Sequence, residues 1–208
     1  MGGGAALLFL MVFLGGSFAA EAPSTQVAES LQLQKCLKRA DDLPDMAAAE
    51  SAMWIKQKGG NDAHLCRAFA QANRGMHADA AREFWALASF YDKKTPAQNL
   101  NRALLMHNLA GQEFLRAKDP KNAEARYEAA LKIAPYNSTS LIGRAQTRME
   151  AERYWDALDD LNRVLKSNPD DINALRQRGR AWRHLGNEKN AQEDLAHAAA
   201  LAGDQAGK

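Results

Sequence analysis

Residues 138–171 read STSLIGRAQTRMEAERYWDALDDLNRVLKSNPDD, and the equally long stretch that follows, 172–205, reads INALRQRGRAWRHLGNEKNAQEDLAHAAALAGDQ. Superimposed, the two stretches align Ala145 with Gly179, Ala157 with Ala191, Leu161 with Leu195 and Val164 with Ala198. The preceding stretch, 104–137, adds Gly111, Ala123, Tyr127 and Ala130, and its Pro135 falls at the place of Pro169. A repeat of this length is one helix-turn-helix unit. Alone it cannot bury its apolar face, so successive copies stack into a solenoid.

Working outward, 61–94 forms a further unit, with Ala68, Ala80, Phe84 and Leu87 in the small and apolar columns. An insertion, 95–103, separates it from 104–137. It includes Thr95-Pro96, a helix cap followed by proline in the first turn, so the next helix is expected to start near Pro96 and run to about Lys118. Its extra turns are expected to project beyond their neighbours. Residues 20–60 hold a degenerate helical pair, broken at Asp41-Asp42-Leu43-Pro44 and closed by Gly59-Gly60-Asn61-Asp62. The end of the chain, small and polar from Gly203, is expected to fray over 206–208.

The pattern of a small residue midway through the first helix, alanine early in the second, an aromatic or leucine four later and a closing proline resembles the tetratricopeptide repeat. Ala145, Ala157, Leu161 and Pro169 carry it in one unit, and Gly111, Ala123, Tyr127 and Pro135 in another; the last unit has Gly203 in place of proline. The resemblance implies an all-α solenoid of antiparallel helix pairs wound as a right-handed superhelix. It also implies a protein-binding platform, since such repeats are generic scaffolds.

The chain has 208 residues, 46% of them hydrophobic, and a net charge of +2. One folded unit fits this, and no global field points to nucleic acid. Ala5 to Leu14 is an apolar run too short to span a bilayer, followed by Ser17-Phe18-Ala19-Ala20. We read 1–19 as a secretory signal with Ala20 as the first mature residue, a cut after Ala20 being the alternative. No lysine or arginine precedes the run. The expected location is outside the cytoplasm, in the periplasm of a Gram-negative cell or otherwise secreted, with no membrane span left after cleavage. Export favours pairing the two cysteines, Cys36 and Cys66, in a disulfide.

Arg67, Arg144 and Arg178 each precede the small residue of their unit, and each is followed at one constant spacing by an acid: Glu83, Asp160 and Asp194. The remaining unit has Ala110 and Arg126 at those places. Arginine and acid vanish together, which predicts structural ion pairs joining helices. Gly111, Ala145 and Gly179 are expected to let helices approach closely.

In such a stack the first helices line the concave side. The expected partner-binding residues there are Asn108, Gln112, Arg116, Gln146, Met149, Arg176, Arg180, Arg183 and His184, in a groove running from apolar near Leu65 and Phe69 to basic. The three arginines would suit an acidic or carboxylate-bearing segment. The lysine and asparagine set of carboxylate-clamp repeats is not reproduced. His64, His77, His107, His184 and His197 form no pair at metal spacing, and no nucleophile or phosphate motif occurs, so no catalytic residue, metal or cofactor is assigned. Asn137-Ser138-Thr139 matches a glycosylation sequon, but capping the following helix is the better use of it. The function expected is a non-catalytic protein or peptide scaffold of the cell envelope, with structural assembly by homo-oligomerisation as the alternative.

Overall fold

The computed structural model describes residues 25–93 and 97–206. The signal segment and the junction 94–96 lie outside the described residues, as do 20–24 and 207–208. Ten helices follow in chain order: α1 (Thr25–Asp42), α2 (Pro44–Lys56), α3 (Gly60–Asn73), α4 (His77–Asp92), α5 (Ala97–Arg116), α6 (Pro120–Ile133), α7 (Ser138–Glu150), α8 (Tyr154–Ser167), α9 (Ile172–His184) and α10 (Glu188–Ala206). Each helix packs on its chain neighbour, and α5, α7 and α9 also touch in succession. The result is an all-α solenoid of five antiparallel pairs.

The punctuation is local and repeated. Asp119, Asn137 and Asp171 cap α6, α7 and α9 by accepting a hydrogen bond from the backbone N–H three positions on. Ala134 and Asn168 are extended (φ −135° and −138°), because each precedes a proline that disfavours helical backbone; α6 and α8 stop there. No proline closes the last pair. α10 therefore runs through Gly203 to Ala206, so the small polar run does not loosen the helix where it begins.

Inside the last four pairs the turn uses one device. Gly75, Lys118, Glu152 and Gly186 all adopt positive φ, at 76°, 61°, 59° and 75°. The next N–H in each case reaches back to the carbonyl five positions earlier, as in Asp119 to Phe114 and Arg153 to Arg148.

The extended α5 does not stand free. α4 is also long, and Arg102 near the start of α5 lies over the Tyr91 ring near the end of α4, 5.7 Å from its centroid. His107 Nε2 meets Asp92 Oδ2 at 2.9 Å one and a half turns later. The interruption in the repeat is thus absorbed by lengthening both helices of one contact.

Apolar residues from adjoining pairs form the core. Leu131, Leu141, Leu161, Leu165 and Leu175 are buried together across α6 to α9, each contributing roughly 1.5–3 kcal/mol. At the other end Cys36 of α1 and Cys66 of α3 form a disulfide, Cα–Cα 5.9 Å, within a cluster holding Trp54, Ala47 and Ala63. Tyr127 fills the space between α5 and α7 against two glycines: a Cβ on Gly143 would fall 2.3 Å from its ring, and one on Gly111 2.8 Å.

Candidate functional site

A concave groove of about 630 Å³ opens across α5, α7 and α9. Its polar lining is mostly amide: Asn101 and Gln112 from α5, Gln146 from α7, Asn173 and Gln177 from α9. Leu104, Leu105 and Ile142 supply the apolar part, and Leu105 keeps 53% of its surface exposed. The charged lining residue is Asp171, which is already engaged as the cap of α9. Such a surface offers both donors and acceptors but little net charge.

Asn108 belongs to the groove wall but is buried, and its amide is committed within the chain. Its Oδ1 accepts from Ser140 Oγ at 2.7 Å, and its Nδ2 donates to Asn137 Oδ1 at 3.4 Å. Asn137 Oδ1 also accepts from the Ser140 N–H at 2.9 Å. The sequon asparagine is therefore a helix cap, and Asn108 ties α5 to that cap.

Charge pairs join the helices within several of the pairs. Arg144 donates to Asp160 through Nε at 2.9 Å and Nη2 at 2.6 Å, and Arg178 to Asp194 through Nε at 2.8 Å and Nη2 at 2.7 Å. Arg67 Nη2 reaches both oxygens of Glu83, at 2.7 and 2.8 Å, with His64 on the same carboxylate. All three arginine–acid spacings join the two helices of one pair. Arg148, which no recurrent spacing singles out, adds a third donor to Asp160 at 2.8 Å and also binds Glu124 of the preceding pair at 3.1 Å. Arg153 also reaches Glu124. Burial alone would raise the Glu124 carboxyl, but these two arginines outweigh it and hold it below the ordinary value. Hydrogen bonding to Asp160 likewise raises the Arg144 guanidinium above its usual value.

The pair lacking the arginine–acid couple uses another contact. Arg126 lies over the Trp85 ring, 4.4 Å from its centroid, and Trp85 meets Phe114 edge-on at 6.4 Å. Ala110 is fully buried where the arginines stand elsewhere.

Of the residues expected in the groove, Asn108, Gln112 and Gln146 line it; the others do not. Met149 packs against the α6–α9 core, and Arg116 binds Glu113. His184 stacks on Tyr154, ring centroids 4.7 Å apart. Arg176, Arg180 and Arg183 are exposed and absent from the groove lining. The row of α9 that faces the groove is Asn173 and Gln177, a short rotation away. The expected gradient toward a basic end is thus replaced by amides. Toward the first pairs, Phe69 is half-buried and packs edge-on against Phe84 at 5.1 Å, while Asn73, still exposed, donates to the Ala40 carbonyl.

Residues 114–179 match the family model of the tetratricopeptide repeat. This part of the chain is made of tetratricopeptide repeats. Its repeats are 31% identical over 123 residues to sperm-associated antigen 1 of Rattus norvegicus, covering 59% of this chain and 13% of that protein. They are 32% identical over 94 residues to protein unc-45 homolog B of Homo sapiens, covering 44% and 10%. The chain therefore spans only a small part of these relatives' length. Among solved structures, MamA 41-end from Desulfovibrio magneticus RS-1 superimposes with a TM-score of 0.68 at 18% identity, over 88% of this chain and 98% of that one. YrrB, a tetratricopeptide repeat protein, does so with 0.57 at 15%, over 86% and 92%. At these identities the likeness is one of fold.

Proposed function

We propose that this chain is a non-catalytic scaffold holding an extended stretch of partner polypeptide in the α5/α7/α9 groove. The observation that carries this is the set of side-chain amides facing an exposed leucine. An extended backbone presents unpaired N–H and C=O groups, and Gln112, Gln146, Asn173 and Gln177 can meet both kinds. Leu105 and Ile142 would take an apolar side chain. YrrB, described as having an unusual peptide-binding site, shares the fold, which supports the reading. The acidic character expected of the partner attaches to the arginines of α9 rather than to this groove.

The apolar segment 1–19 supports export, and the disulfide suits an oxidising compartment, so we place the protein in the cell envelope. A second reading, assembly through homo-oligomerisation, draws on Leu100 at the start of α5, 41% exposed. Light scattering separates the two, since a monomer at working concentration removes the second.

A peptide array of unstructured segments, probed with wild type and with Leu105→Arg, tests the groove. Peptides held by wild type and lost by the variant, with affinity insensitive to salt, are expected. Identical profiles for both proteins would remove the groove from the function.

A further inference from the structure

On the second helices, outside the groove lining, one pair departs from the charge pattern of the others. In the repeat register Arg126 of α6 stands where Glu83, Asp160 and Asp194 stand, and Ala110 of α5 stands where their arginines do. This pair holds a cation in the place of an acid, with no charge opposite. A second departure lies on α4. Trp85 is 39% exposed, and its places in α6 and α8 hold the exposed polar residues Glu128 and Asn162. The two departures meet, because the Arg126 guanidinium lies over the Trp85 ring.

Arg126 also differs from the other arginines. Among the described residues, Arg102, Arg126, Arg176 and Arg180 have no acid within ion-pair distance, and of these Arg126 is the half-buried one. None of its N–H groups has an acceptor there: Nε is enclosed, whereas the two outer nitrogens are not. Asp92, the acid whose charge acts on it, is held by His107 Nε2 at 2.9 Å. Burial lowers the Arg126 pKa more than Asp92 raises it, so that acid does not offset the lost hydration. A guanidinium seated on an aromatic face and short of a carboxylate is suited to receive one.

We propose that the Trp85–Arg126 stack is a second docking site, which takes an aspartate or glutamate side chain of a partner polypeptide with an apolar residue next to it. Charge complementarity specifies the acid. Its carboxylate accepts from the outer nitrogens of Arg126, much as Asp160 and Asp194 accept from Arg144 and Arg178 at 2.6–2.9 Å within their own pairs. The exposed part of Trp85 specifies the apolar neighbour. The partner thus supplies the acid that the repeat lacks here. Neither residue lines the groove, so this site goes beyond the proposed function and does not depend on it.

The test uses the mature chain beside its Leu105→Ser variant, which removes the exposed leucine of the groove without adding charge. The probes are an end-blocked synthetic peptide with one glutamate between leucines, its glutamine counterpart, and inorganic phosphate. Both proteins are expected to bind the glutamate peptide at least about tenfold tighter than the glutamine one. Binding should shift the Trp85 indole and Arg126 Nε–H resonances and weaken as salt rises. Arg126→Gln should abolish the preference, and Arg126→Lys should keep only part of it, because an ammonium lacks the planar fork. Urea unfolding verifies that each variant is folded under the assay conditions. No preference for glutamate in wild type, or a preference that survives Arg126→Gln, would leave the stack a purely structural contact and overturn the proposal. Phosphate that moves the same resonances at the concentration at which the peptide does would overturn it in favour of a free anion. A preference lost in Leu105→Ser would overturn it too, by assigning the peptide to the groove, so the two sites fail separately.

Discussion

Arg144 and Asp160 meet side-on across the α7–α8 pair, with both carboxylate oxygens of Asp160 engaged and its side chain 0% exposed. Arg148 completes the site from the same helix as Arg144. Removing the acid would strand the mostly buried guanidinium group of Arg144 and leave Arg148 only its other partners, Glu124 among them. We expect Asp160→Ala to cost about 3–5 kcal/mol, the range for breaking a buried pair from one side. Glu83→Ala should cost less, because Arg67 is 31% and Glu83 15% exposed and water screens the pair. Urea denaturation of the two variants would rank them; a larger loss for Glu83 would contradict this order.

Tyr127 and Gly143 are coupled by shape. Gly143→Ala is expected to destabilise by about 1–3 kcal/mol, as overpacking does, because the new methyl would overlap the ring. Tyr127→Leu, which restores the residue type found at Leu161 and Leu195, should recover part of that loss in the double variant. A double-mutant cycle on melting temperature reads the coupling, and additive effects would show that the ring and the glycine are independent.

Reduction of Cys36–Cys66 is expected to lower stability by about 3–4 kcal/mol, from the loop the bond closes in the unfolded chain. The change should appear as a lower unfolding midpoint in dithiothreitol, matched by Cys36→Ser in its absence. Amide exchange should rise first in α1, which the bond fastens to α3.

His107 is almost wholly buried, and its Nδ1 lacks a hydrogen-bond partner. Burial pushes its pKa below the usual 6.5, more than the Asp92 contact raises it. The unfolded chain then takes up a proton before the folded one does. Stability from this site is therefore present above about pH 6.5 and declines as pH falls toward the lower folded value. His107→Gln, which keeps a donor for Asp92 but cannot titrate, should show a shallower fall in melting temperature between about pH 7 and 5. Parallel curves would assign the pH dependence elsewhere.

Five helical pairs and the breaks between them were legible in the chain because each signal is local: a proline, a cap, a small residue at a fixed step. The arginine–acid spacing was legible for the same reason, since it spans one turn-and-return within a unit. Arg148 carries no such signal, because its places in the neighbouring units hold Phe114 and Trp182 and no arginine recurs in register. The groove was half legible. Gln112 and Gln146 stand out on it, whereas Asn173, Gln177 and Leu105 are outweighed in the sequence by the charge of Arg176 and its neighbours.

What the sequence alone determined is the unit, its length and its number of copies, because helix start, stop and apolar stripe depend on residues a few positions apart. The tertiary structure decided which row of each first helix faces the groove. A rotation of roughly 80° about α9, less than one residue step of an α-helix, separates an amide surface from a basic one. Only packing against α7, α8 and α10 sets that rotation. It left the three arginines exposed on α9, outside the lining of the groove.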